Sequence, residues 1–481
     1  MNMAVTRVKI ILLSVLSCIS FSGFAQQHGI IRVACIGASI TAGITLDNPA
    51  ADAYPAQLQK MLGDKYQVLN FGVSGTTMLR KGDLPYRNAT AYQKALQSDP
   101  EIVFIDLGGN DSKLINRVYL GEFEKDCHAL IHSFAALPTH PRIILLLPLP
   151  CFLKDTTQIN ERTIVSQIIP GLRQVAYDEN IEVLDMHSVF VDKESAMPDK
   201  IHPDLPGSRL IAERLFHLIV QTGDWQFNIF PVLHRDFTRD SFNGYACANF
   251  TLDGKECRVV KPRWTAPGRP WIWRARFWGH EPQADIALLE RGFHLVYCDV
   301  SELFGNEEAI GRWNDFYQLL RQAGLGQKAV LEGMSRGGVY VLNWAAVNPD
   351  KVSCVYIDNP VLDLKSWPAG LGRQAASPKE LEILKADYHL KGDDDLRQFK
   401  GSPINKLPQI ASGHYPILIL CADADEAVPP EENTLLFERE LKALQGDVRV
   451  LHKPGFKHHP HSLPDPAPIV DFILKATGFD Q

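Results

Sequence analysis

From residue 30 to residue 220, short apolar runs alternate with amphipathic stretches, and after a break over residues 222–236 a second such series runs toward the C-terminus. Alternation of this kind calls for a mainly parallel sheet covered by helices, because parallel neighbours can only be joined by a long crossover. The first series offers strands at residues 31–36, 66–71, 102–107, 143–147 and 181–184, then a closing helix over residues 208–221 with apolar positions at helical spacing. The second offers a hairpin at residues 245–260 and strands at residues 271–277, 294–299, 329–332, 353–357, 417–421 and 448–451. All eight tryptophans lie at or after Trp225, which supports a boundary there. At 481 residues the chain also exceeds what one hydrophobic core usually covers, so two α/β domains are expected.

The N-terminus reads as an export signal over residues 1–25. Arg7 and Lys9 precede an apolar stretch over residues 10–21, and Gly23-Phe24-Ala25 supplies a small-residue cleavage pattern. A competing reading takes Val15-Leu16-Ser17-Cys18 as a lipoprotein box that leaves Cys18 lipidated, although Leu16 fits that box imperfectly. Either way the expected location is periplasmic or extracellular. A formal charge of -7 without a long basic run argues against nucleic acid, whose phosphates need clustered Lys and Arg. The cysteines after the signal sit mostly in apolar runs and are expected as buried small hydrophobes. No Cys-x-x-Cys pair suggests zinc, and no metal or organic cofactor is expected.

In open α/β sheets chemistry gathers just beyond the carboxyl ends of strands. There the first series carries four blocks: Gly37-Ala38-Ser39, Gly72-Val73-Ser74-Gly75, Gly108-Gly109-Asn110-Asp111 and Asp199-Lys200-Ile201-His202. Taken in this order they resemble the SGNH (GDSL-type) hydrolases, over residues 28–222. The resemblance implies a flavodoxin-like parallel sheet sandwich, with Ser39 as nucleophile, His202 as base and Asp199 orienting the imidazole. It also implies an oxyanion hole made by the Ser39 and Gly75 N–H groups and the Asn110 amide. Two departures, Ala38 in place of Asp and Gly109 where many members have Thr, remove no reacting group.

The second series carries the elbow Gly333-Met334-Ser335-Arg336-Gly337, then Asp423-Ala424-Asp425 after one late strand and Gly455-Phe456-Lys457-His458 after the next. A Ser on so sharp a turn needs small neighbours. The order Ser, acid, His resembles α/β-hydrolases, over residues 236–481, with residues 223–235 as a linker. That likeness implies Ser335 as nucleophile, Asp425 orienting the base, His458 as base and the Arg336 N–H as one oxyanion donor. Asp423 competes with Asp425, and His459 and His461 with His458. The second oxyanion donor is expected near Trp278 and Gly279. The Ser-Arg-Gly-Gly elbow is also similar to that of glucuronoyl esterases.

Both constellations support acyl transfer to water through an acyl-enzyme. Export with two esterase sites points to an acylated plant cell-wall polysaccharide or oligosaccharide, most simply an acetylated one, as substrate and partner. The alternatives are a non-catalytic carbohydrate-binding or scaffolding role for one domain, or glucuronoyl esterase, lipase or thioesterase activity in the second. The charged segment over residues 379–400 is unlike an apolar lipase lid. Trp264, Trp271, Trp273 and Trp278 with Arg263, Arg269, Arg274 and Arg276 offer a sugar-stacking and uronate-binding rim, the alternative being a buried strand with aromatic packing and exposed arginines. Arg80, Lys81, Tyr86, Arg87 and Tyr92 offer substrate contacts in the first domain.

Overall fold

The structure, a computed structural model, describes residues 29–479. The export signal and Cys18 lie outside the described residues. Among those residues no helix is long and apolar enough to cross a membrane.

The first sheet has five parallel strands: β1 (Ile31–Gly37), β2 (Tyr66–Gly72), β3 (Ile102–Asp106), β4 (Arg142–Leu146) and β5 (Glu182–Leu184). They lie in the order β2-β1-β3-β4-β5, so the winding direction switches at β1. This is the flavodoxin-like arrangement, in which functional groups collect where the order reverses. Every residue of β3 is buried, as expected of a central strand covered on both faces. The helix Leu205–Val220 packs Ile211, Ala212, Leu215 and Leu218 against one face, and Asp204 caps it by accepting from the Gly207 N–H.

The second sheet has nine strands: β6 (Thr238–Phe242), β7 (Tyr245–Leu252), β8 (Lys255–Val260), β9 (Trp271–Ala275), β10 (His294–Cys298), β11 (Ala329–Met334), β12 (Val352–Asp358), β13 (Ile417–Ala422) and β14 (Val448–Lys453). Their order is β14-β13-β12-β11-β9-β10-β8-β7-β6. From β10 to β14 all pairings are parallel, and β6, β7 and β8 add antiparallel strands at one edge. This is an α/β-hydrolase sheet, with β10 lying outside β9. The register of the hairpin sets Phe250 opposite Cys257 and Cys247 opposite Val260. All eight cysteines in the described residues are buried free thiols.

The segment 223–235 carries a short helix, Ile229–Val232, and buries Ile229, Phe230 and Leu233 in the core of the second domain. The domains also share a wide buried seam. Arg214 Nη2 lies 2.6 Å from Glu290 Oε2, and the other oxygen of Glu290 accepts from the Asp185 N–H at 2.7 Å. Arg263 donates to the carbonyls of Ala176 and Gly244.

Candidate active sites

Three strand ends and one loop assemble the first site. β1 runs directly into Ser39, and the turn has no room for larger residues: a Cβ at Gly37 would lie 2.0 Å from Thr41 Oγ1, and one at Gly72 would lie 2.3 Å from the Ala42 nitrogen. Ser39 Oγ is 2.7 Å from His202 Nε2, and His202 Nδ1 is 2.6 Å from Asp199 Oδ2. The other Asp199 oxygen accepts from the backbone N–H groups of Ile201 and His202. Burial raises the Asp199 carboxyl, but the hydrogen bonds from the His202 ring and these N–H groups outweigh it and hold the group below its ordinary value. The ionised form is the one that can orient the ring.

Gly75 and Asn110 sit on neighbouring loops, tied together by the residue after Asn110. The buried Asp111 carboxylate accepts from the Met78 and Leu79 N–H groups at 3.0 and 2.7 Å. Asn110 Nδ2 donates to the Thr76 carbonyl at 3.1 Å, and Gly75 has φ +83°, open to glycine at little cost. A cavity of about 40 Å³, lined by Ser39, Asn110, Asp106, Leu149, Cys151 and Ile164 among others, opens beside the Ser39 hydroxyl.

The second site has the same chain of bonds on a different frame. Ser335, at the end of β11, has φ +50°, a strained conformation for a residue with a side chain and typical of a nucleophile elbow. The glycines around it are forced: a Cβ at Gly333 would lie 2.7 Å from the Gly337 carbonyl carbon, and one at Gly338 would lie 2.6 Å from Pro360 Cβ. Ser335 Oγ is 2.9 Å from His458 Nε2, and His458 Nδ1 is 2.7 Å from Asp425 Oδ2. The remaining Asp425 oxygen accepts from the Ala427 and Val428 N–H groups. Asp423 instead meets His452 at 2.6 Å, which separates the two candidate acids.

The histidine cluster separates as well. His458 bridges Ser335 and Asp425, whereas the buried His461 turns toward Asp358. The ring nitrogens of His458, His459 and His461 lie within 4.8 Å of one another, as do ligand atoms of His128, His132 and Glu179. Both His458 nitrogens are already engaged, so an ion in the first of these clusters would pull the imidazole away from its partners.

Residues 35–210 match the family model described as GDSL-like Lipase/Acylhydrolase. The N-terminal domain is a GDSL-type hydrolase domain. An acetylxylan esterase of Xylanibacter ruminicola is 41% identical over an alignment of 207 residues that covers 39% of this chain and 43% of that relative. The match thus spans less than half the length of the relative, and it supports carboxylic ester hydrolysis for the GDSL-type domain. Among solved structures, the aryl esterase of M. Smegmatis is 18% identical with a TM-score of 0.32, covering 38% of this chain and 98% of that one. Est1E from Butyrivibrio proteoclasticus is 17% identical with a TM-score of 0.36, covering 48% and 99%.

Several expected substrate contacts are structural instead. Trp271 and Trp273 are fully buried, Trp273 stacks on Trp313 at 4.2 Å, and Trp264 is buried too. Arg274 is locked between Asp285 and Glu332. Arg263 binds carbonyls at the seam between the domains, and Arg269 lies 4.0 Å over the Phe227 ring. No sugar-binding rim forms from this set, and only Arg276 stands beside the Ser335 elbow. In the GDSL-type domain Tyr86 and Tyr92 are core residues, and Arg80 and Lys81 pair with Asp126 and Glu122. A strand with apolar residues on both faces is read from sequence as ambiguous, and burial decides it.

β9 ends at Ala275, which lies beside Gly333 in the sheet, so the chain passes the elbow at Arg276 and Phe277, before Trp278 and Gly279. The segment over residues 379–400 carries most of its charges on its outer face, although one carboxylate oxygen of Asp387 is buried. Leu384, Leu396 and Phe399 pack its underside against Phe304, Val339 and Val361, making a small cap inserted between β12 and β13.

Proposed function

We propose that the chain is an exported serine esterase with two active sites that removes acetyl groups from plant cell-wall polysaccharides or their oligosaccharides. In the first site Ser39 attacks the ester carbonyl, His202 takes its proton and returns it to the leaving alcohol, and Asp199 holds the imidazolium. The Ser39 and Gly75 N–H groups and the Asn110 amide receive the oxyanion. Ser335, His458 and Asp425 play the corresponding parts in the second, with the Arg336 N–H as an oxyanion donor.

The observation that carries this reading is the pair of unbroken Ser–His–Asp chains, each with both bonds between 2.6 and 2.9 Å. Likeness to an acetylxylan esterase favours acetyl as the first acyl group. The cavity beside Ser39 agrees in size: a water-sized group needs about 10–15 Å³ on this measure, and 40 Å³ holds a group as small as acetyl. An intact second triad disfavours a purely binding role for that domain.

The test is the set Ser39→Ala, Ser335→Ala and the double variant, assayed on an aryl acetate, acetylated xylan and acetylated pectin. Each single variant should lose part of the activity and the double variant all of it. Full activity in both single variants would sink the nucleophile assignments. Parent-like behaviour of Ser335→Ala on every ester would leave the second domain without a catalytic role.

A further inference from the structure

Arg276 and Arg336 converge beside the second nucleophile. Arg336 follows Ser335 in the chain, and Arg276 follows Ala275, whose carbonyl oxygen lies 2.9 Å from where a Gly337 Cβ would sit. Both guanidiniums are largely withdrawn from water, with side-chain exposures of 12% and 16%. They share one carboxylate. Arg276 Nη2 donates to Glu302 Oε1 at 2.7 Å, while Arg336 Nη1 stops 3.6 Å short of Glu302 Oε2. Arg276 Nε and Nη1, Arg336 Nη1 and Glu302 Oε2 are all buried without a hydrogen-bond partner.

Buried guanidinium donors left unpaired are costly, and a group of them beside a nucleophile calls for an explanation such as a catalytic role or a bound ion or ligand. Two guanidiniums share this one carboxylate beside Ser335, with Glu380 acting on Arg336 and the half-buried Asp387 acting on Glu302 through charge. Burial, and then the neighbouring Arg276, pull the Arg336 group below its ordinary value, the mark of cations crowded out of water. The backbone here is strained too: Arg276, Phe277 and Glu302 all have positive φ, at 62°, 47° and 62°. Such conformations persist where surrounding structure enforces them, frequently at sites of function. Aromatic faces flank the pair, with Arg336 5.7 Å from the Trp367 ring and Arg276 5.3 Å from the Phe277 ring.

We infer that Arg276 and Arg336 form a carboxylate subsite, so that the second active site acts on acylated sugars carrying a free uronate group, with Glu302 as the internal stand-in which that group displaces. A planar carboxylate matches the guanidinium fork, and the Glu302 side chain that it would replace is 44% exposed. The inference rests on the reading of Ser335 as a nucleophile.

Turnover is measured in the Ser39→Ala chain, where only the second site works, on acetylated galacturonate oligosaccharides and on the same material with its carboxylates converted to neutral amides. The acid form should be preferred at least tenfold in kcat/KM. Arg276→Gln should raise KM for the acid form at least tenfold more than for the amide, and Glu302→Gln should lower KM for the acid form. Equal kcat/KM for acid and amide, or equal loss on both in Arg276→Gln, overturns the subsite. Should the Ser39→Ala chain hydrolyse no ester at all, the catalytic reading fails and calorimetry decides the subsite separately. The chain carrying both Ser39→Ala and Ser335→Ala should still bind deacetylated galacturonate oligosaccharide at least tenfold tighter than its amide, and loss of that difference overturns the inference.

Discussion

Lys193 Nζ lies 2.7 Å from Asp465 Oδ2, joining the loop that leads to Asp199 and His202 to the loop that follows His458. The base-bearing loops of both sites therefore meet at one ion pair. Beneath it the Arg214–Glu290 pair, at 2.6 Å, crosses the same seam in a drier setting. Ion pairs across the seam thus tie the two domains to each other in addition to the chain that links them.

These two pairs should respond differently to truncation. Glu290 is 4% exposed, so Arg214→Ala strands a buried carboxylate, and loss of one partner of such a pair costs on the order of 3 kcal/mol. Lys193 and Asp465 are partly exposed, and Lys193→Ala should cost less than about 1 kcal/mol after solvent screening. Calorimetric melting of both variants checks the ordering. Arg214→Ala melting with the parent would mean that the seam adds little to stability.

The orienting carboxylates should be separable from the nucleophiles. Asp199→Asn and Asp425→Asn keep the shape of each site but favour the wrong histidine tautomer, a change that lowers kcat by roughly 10,000-fold in serine hydrolases. Each substitution should silence its own site and leave the other working, read against chains that already lack Ser39 or Ser335. A loss below tenfold would show that the acid is dispensable there.

Asp106 makes stability depend on pH. Its side chain is buried behind Ser39, with a hydrogen bond from Thr41 at 3.1 Å, and burial raises its pKa to about 6 despite that bond. A folded-state pKa above the unfolded value of 3.8 means that the folded chain holds the proton more tightly. Stability from this group is full below pH 3.8 and is lost as pH rises through about 6. The full span between those two values is worth roughly 3 kcal/mol at most, because a tenfold change in proton affinity corresponds to about 1.4 kcal/mol. Asp106→Asn should therefore melt higher than the parent at pH 8 and lose that advantage near pH 4. An advantage that grows as pH falls would contradict the assignment.

What sequence reveals here follows from where each signal resides. β3 and β11 are mainly apolar runs, interrupted only by Asp106 and Glu332 near their ends, that lead into glycine, and both Ser39 and Ser335 stand on turns whose crowding dictates small neighbours, so local spacing exposes them. β6, with Thr238, Arg239 and Asp240 exposed at a sheet edge, lacks the apolar alternation that marks a strand. Tyr86 and Trp273 look like sugar platforms because aromatic character does not report burial. Thr41, Tyr54 and Asp106 form their buried network only when β1 and β3 lie side by side. Arg276 and Glu302 are likewise remote in sequence from Ser335 and join it through the order of the strands.

Asn359 presents the same situation in the second site. It follows β12, its Oδ1 accepts from the Ala422 N–H at 2.8 Å, and its Nδ2 donates to the His458 carbonyl at 2.8 Å. One side chain thereby fixes the backbone of the base to the end of the strand that leads to Asp425. Its neighbour Asp358 accepts from the Ser335 N–H through its carbonyl and from Lys453 through its carboxylate, so the pair of residues touches the supports of all three triad members. Asn359→Ala removes both contacts and leaves the buried Ala422 N–H unpaired, which costs about 1–3 kcal/mol. A base displaced by a fraction of an ångström reacts far more slowly, and kcat at the second site should fall roughly 10- to 100-fold with KM little changed. In a chain that already carries Ser335→Ala the same substitution should leave turnover at Ser39 intact. A matching fall at both sites would instead mean that Asn359 supports the fold as a whole and not the position of His458.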